Sequence, residues 1–193
     1  MTTMQATRRR DRWADWAVVA LVAIALILGL VLREFILSRT EPFSDASAGV
    51  SGRCPAAWVR ETGDDPLLRV SDPRGGEFDA TLEVRSRPLA AEAGPILVLD
   101  ALAFERADQV DNYQALSTDQ VLIEGEAVTR RTFTYVQVDR NPYTNRLPVV
   151  VQGADLALRD EDGRIIVVTL LAGVDDFDDY QRYFYALVES LEF

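Results

Sequence analysis

Asp175, Asp176, Asp178 and Asp179 are the densest run of hard oxygen ligands in this 193-residue chain, and their chemistry would be the holding of a hard cation. At the start of a helix the same carboxylates would instead answer the helix dipole and its free amides. Asp160, Glu161 and Asp162 before Gly163 resemble part of a calcium loop, but the remaining spaced ligands and the closing Glu are missing, so a hairpin turn accounts for them. Paired carboxylates could hydrolyse a glycosidic bond, yet 26 acids from residue 50 onward make such pairs cheap. Arg130 and Arg131, with Arg140 and Arg146, offer a basic strip for an acidic ligand. Neighbours on a strand point to opposite faces, so pairing with the surplus acids is the expected fate of these guanidiniums. Tyr143, in the loop Asn141-Pro142-Tyr143, is the aromatic best placed for surface recognition, and with Arg131, Arg140 and Arg146 it forms the candidate partner-binding set. Tyr180, Phe184 and Leu187 have core spacing.

Histidine and lysine are both absent, and all 20 basic residues are arginine. That excludes a Ser-His-Asp or Cys-His nucleophile, His-ligated zinc, Schiff-base chemistry and a P-loop ammonium. No cofactor is expected, and no catalytic residue is assigned. Cys54 has no partner for an internal disulfide, and beside Pro55 it reads as a small buried hydrophobe. Arg53 before it stands where a lipoprotein signal needs a small residue.

The charge is divided. Arg8, Arg9, Arg10 and Arg12 crowd the N-terminus, whereas 14 Arg face 26 acids from residue 50 onward, a net −12. A field of that sign repels nucleic acid and anionic headgroups, and suits a cationic ligand or a basic protein partner.

These groups must be held by something. Trp16 to Leu32 reads WAVVALVAIALILGLVL without a charge, about 25 Å of helix, and Phe35 to Leu37 can lengthen it to span a bilayer. The spacing predicts a basic cytoplasmic segment over 1–15, a transmembrane helix over 16–37 that contacts the lipid, a polar tether over 38–50 and an extracytoplasmic domain over 51–193. The rival is cleavage at Ala46-Ser47-Ala48, which has the small-x-small form a signal peptidase accepts.

Within the domain, short strands are expected at 53–59 and 67–71, and Phe78–Arg87 alternates as a half-buried strand. Pro95 opens a helix expected over about 95–118, with an alternative break near Ala107. Strands follow at 127–138, 149–158 and 164–172, the last pair joined by a tight turn at Asp162-Gly163. Asp175-Asp176 offers an N-cap to a C-terminal amphipathic helix that begins at Phe177. The class is α+β, an antiparallel sheet of about six strands with helices packed on it, preceded by one N-terminal transmembrane helix.

The order of these segments resembles the PsbP-like family. It is carried by Pro55-x-x-Trp58 followed by two strands, a long helix ending in Tyr113, Gly125 before a strand, Asp162-Gly163-Arg164 leading into an apolar strand, and the close Leu187 to Phe193. The resemblance covers about residues 50–193 and implies an α/β/α sandwich. Its members include a photosystem II extrinsic subunit and envelope lipoproteins, so it also implies a binding or assembly module with an envelope protein as partner.

Overall fold

The computed structural model describes residues 4–37, 39–61, 65–87, 94–139, 147–160 and 163–193. The chain divides into two units, Met1–Arg39 and Thr40–Phe193. The first is one helix, α1 (Met4–Leu37), whose stretch Trp16–Arg33 is long and apolar enough to cross a membrane.

The second unit begins with a hairpin of β1 (Thr40–Asp45) and β2 (Val50–Pro55). Composition predicts a tether here, and the structure differs. Phe43 and Val50 are buried in the core, and the Asp45 carboxylate accepts the Ser47 amide (2.9 Å), the Ser47 hydroxyl (2.5 Å) and the Ala48 amide (3.1 Å) to build the turn. Arg164 then donates to the Ala48 carbonyl at 2.7 Å and fastens the turn to a distant part of the fold. One buried aromatic with these remote contacts suffices to order a polar segment, and neither contact is visible in local composition.

Next come β3 (Val59–Glu61), β4 (Leu68–Asp72), β5 (Ala80–Arg87), α2 (Pro95–Gln109), β6 (Asp111–Ile123), β7 (Glu126–Gln137), β8 (Val149–Arg159), β9 (Ile165–Gly173) and α3 (Phe177–Glu189). Seven strands form one antiparallel sheet in the order β3-β4-β5-β9-β8-β7-β6, beside the two-stranded β1-β2 sheet. The main sheet has seven strands, close to the six or so expected, and the two-stranded sheet is additional.

The expected helix over 95–118 ends early. Val110 turns extended, Asn112 takes φ 54°, and Tyr113 lies in a strand. The segment from Tyr113 to Ile123 mixes apolar and polar residues in a way that suits either period, and pairing with β7 through the Glu124-Gly125 turn (φ 51° and 90°) decides for strand. By contrast β7, β8, β9 and α3 fall close to their expected places, and Gly163 (φ 81°) closes the β8–β9 turn.

One face of the sheet carries the main core, where Leu68, Val70, Leu82, Val84, Leu156, Val168 and Leu170 meet Phe184, Leu187 and Val188 of α3 and the β1–β2 hairpin. Trp58 is buried there, with Tyr180 and Tyr183 rings at 5.7 and 5.5 Å. The opposite face receives α2 through Leu99 and Leu102, which pack on Ala157, Ile165 and Val167. The result is a three-layer α/β/α sandwich.

Candidate functional site

The face beneath α2 carries polar residues in register. Glu61, Arg69, Glu83, Thr169, Asp155, Arg131 and Thr118 are successive cross-strand partners, so one polar row runs across all seven strands. Its centre is buried, and burial of charge is tolerable only with complete pairing. Asp155, fully buried, accepts two bonds from Arg106 of α2 (2.6 and 2.9 Å) and one from the Thr169 hydroxyl (2.6 Å). Glu83 meets Arg69 at 3.2 Å and Arg85 at 2.9 Å, and Arg131 donates to Asp100 of α2 at 2.6 Å.

Burial works against the Arg106 charge, but the charge and hydrogen bonds of Asp155 outweigh it and hold the guanidinium more firmly protonated than usual. That guanidinium lies 4.2 Å from the Phe133 ring centroid. The Phe133 ring covers Gly153, where a Cβ would run into it. Tyr113 leans on Phe133 at 5.4 Å. Burial raises the Tyr113 pKa although the Arg106 charge pulls the other way, and no hydrogen bond of ordinary geometry from the described residues reaches its hydroxyl.

Past the C-terminal end of α2 the same face opens into a groove of about 620 Å³. Phe78, Val110, Tyr135 and Leu171 supply its apolar lining, and Glu61, Glu77, Asp79, Asp111 and Asp139 supply five carboxylates against the single guanidinium of Arg69. Arg69 is already bridged to Glu61 (3.4 Å) and Glu83 (3.2 Å). A smaller cavity of about 250 Å³, lined by Arg69, Glu83, Arg85, Arg106 and Tyr135 among others, adjoins it. Burial pushes the Tyr135 hydroxyl up to about 12, so it stays a neutral hydrogen-bonding phenol.

Among the described carboxyls, Asp45, Asp72 and Asp119 are displaced downward in pKa, and none of the three lines the groove.

With this geometry in view, comparison with solved structures finds a match to the solution structure of cyanobacterial PsbP (CyanoP) from Synechocystis sp. PCC 6803, at 13% identity and TM-score 0.55, over 79% of this chain and 91% of that one. The fold is PsbP-like. LpqN of Mycobacterium tuberculosis, involved in cell envelope biogenesis, is similar at 14% identity and TM-score 0.48 over 80% of this chain and 84% of that one. The Saccharomyces cerevisiae Ran-binding protein Mog1p is similar at 10% identity and TM-score 0.49 over 80% and 95%. No family model and no curated protein matches the sequence.

Of the residues singled out by sequence, the described ones occupy scattered places on this PsbP-like scaffold. Arg130 and Arg131 do face opposite ways: Arg130 bonds Asp119 (2.6 Å) and Tyr185 of α3 (2.9 Å), and Arg131 bonds Asp100 and Thr118 beneath α2. Arg131 is therefore buried and already engaged, not a surface contact. Tyr143, Arg140 and Arg146 lie outside the described residues, as do Glu161 and Asp162. Asp160 takes the Arg164 guanidinium at 2.5 Å within its hairpin turn.

Asp175, Asp176, Asp178 and Asp179 are not drawn together, since no three acids among the described residues converge on a metal-sized point. Asp176 stands at the N-cap of α3 without a side-chain capping bond, contrary to expectation, because its backbone is already helical. Cys54 is buried, and burial raises its thiol pKa. Sequence reasoning missed the groove. Its one local signal was Phe78 between Glu77 and Asp79, an apolar residue with a carboxylate on each side.

Proposed function

We propose that this protein is a membrane-anchored, extracytoplasmic, non-catalytic binding or assembly module whose partner occupies the groove beside α2. The observation that carries the reading is the groove itself, an apolar floor rimmed by carboxylates. The histidine-free and lysine-free composition and the PsbP-like fold agree with it.

In this reading α1 is retained as the anchor, with the four-arginine segment cytoplasmic by the positive-inside bias and Thr40–Phe193 on the outer side. The buried place of Phe43 and Ala48 supports retention, because cleavage after Ala48 would take β1 out of a paired hairpin. Tyr143, Arg140 and Arg146, which lie outside the described residues, remain proposed partner contacts apart from the groove.

The test is site-specific photo-crosslinking in native membranes. A photoreactive residue replaces Phe78 in the groove or Arg182 on α3. A partner trapped from position 78 and not from 182 supports the reading. Trapping from 182 alone, or from neither, defeats the groove as the docking site.

A further inference from the structure

We infer that the groove takes an extended cationic polypeptide segment, one whose arginine or lysine side chains alternate with apolar ones. This rests on the binding-module reading and gives its ligand a chemistry.

Charge is the first argument. Five carboxylates line the groove, and the one guanidinium among them is shared between Glu61 and the buried Glu83. Among the described residues no cation pairs with Glu77 or Asp79, although Asp72, Glu83, Asp119, Asp155 and Asp160 each hold an arginine. A ligand with positive charge would meet Glu77 and Asp79, which no cation among the described residues pairs with.

The spread of that charge is the second. No three acids among the described residues converge as a metal would require. The carboxylates are supplied by β3, by the segment before β5, by the first residue of β6 and by the stretch just after β7, so they ring the groove. A point dication cannot satisfy them together. A chain with several separated cationic groups can.

The floor is the third. Phe78, Val110, Tyr135 and Leu171 offer apolar surface between the charges, and Leu147 stands exposed at the edge. Arginine and lysine bury their aliphatic stems on such surface while their charged ends reach a polar rim, and intervening apolar side chains fill the remainder. The volume, about 620 Å³, falls within the range of specific ligand sites.

The test uses the full-length protein in nanodiscs of zwitterionic lipid, with empty nanodiscs as the control. The probes are fluorescent peptides alternating arginine, glutamate or serine with leucine, and the polyamine spermine. The arginine peptide is expected to bind saturably at about 0.1 M salt and weaken as salt rises, while the glutamate and serine peptides stay unbound. The double variant Glu77→Gln, Asp79→Asn should weaken binding roughly tenfold, as two exposed ion pairs would. The variant Asp175→Asn, Asp178→Asn removes the same charge from another part of the domain and should leave binding unchanged, with circular dichroism checking that both variants fold.

Equal weakening by the two variants would reduce the effect to net charge and overturn the proposal, as would equal binding of all three peptides. Spermine binding as tightly as the arginine peptide would show that the floor contributes nothing, which also overturns a polypeptide ligand. If the arginine peptide fails to bind while a photoreactive residue at 78 still traps a partner, the cationic assignment falls and the binding-module reading stands. If both fail, both fall.

Discussion

The Arg106 guanidinium of α2 grips the Asp155 carboxylate of β8 with two hydrogen bonds of 2.6 and 2.9 Å, and that carboxylate is wholly buried. A helix with only two buried apolar side chains, Leu99 and Leu102, is thereby fixed to the sheet by charge as much as by packing.

Breaking that pair from one side should be costly. Arg106→Leu leaves a buried carboxylate without its cation and is expected to destabilise the domain by about 3–5 kcal/mol. Replacing both partners, Arg106→Met with Asp155→Leu, should recover most of the loss. Urea unfolding followed by tryptophan fluorescence measures both, and an equal loss in the single and double variants would refute the assignment.

Gly153 tests the stacking beside the pair. Gly153→Ala places a Cβ against the Phe133 ring and should cost about 1–3 kcal/mol through overpacking. Pairing it with Phe133→Leu should relieve much of that cost, which a thermal melt would read. A stable Gly153→Ala single variant would mean the ring is free to move aside.

The pH dependence has a definite sign. At Asp72 burial, the largest influence, raises the pKa, but the hydrogen bonds and charge of Arg74 with help from Tyr180 outweigh it, and the net shift is downward from 3.8. At Asp119 the Arg130 hydrogen bond dominates and lowers it. A carboxyl with a depressed folded pKa binds fewer protons folded than unfolded, so its contribution is full well above pH 3.8 and is lost as pH falls through the lower folded value. The urea midpoint should therefore drop below about pH 4, and less steeply in Asp72→Asn. A midpoint equally acid-sensitive in that variant would assign the loss to other groups.

Retention of α1 predicts a single species in membranes, 21.5 kDa plus its tags, that carries both an N-terminal and a C-terminal tag. A C-terminal fragment beginning near Gly49 would show that the hairpin is cut and would remove the anchor from the proposal.

Some of this was determined by the chain itself. The uncharged run of α1, the apolar periodicity of α3, the strands β7, β8 and β9 and the Asp-Gly turn are local patterns, and each segment adopts what its own spacing dictates. The absence of histidine and lysine likewise bounds the chemistry with no structure at all.

The rest was decided by partners far along the chain. Thr40–Asp45 is a strand because Phe43 finds the core and Arg164 finds the Ala48 carbonyl, and β6 is a strand because β7 is there to pair with it. Glu83, Asp155 and Arg131 were visible as charges inside apolar strands, but only the cross-strand register aligns them in one row under α2. The groove follows the same rule, since its residues come from β3 to β9 and the stretch after α2. Periodicity tells which way a side chain points on its own strand, whereas a site assembled across strands depends on register and packing, which are non-local quantities.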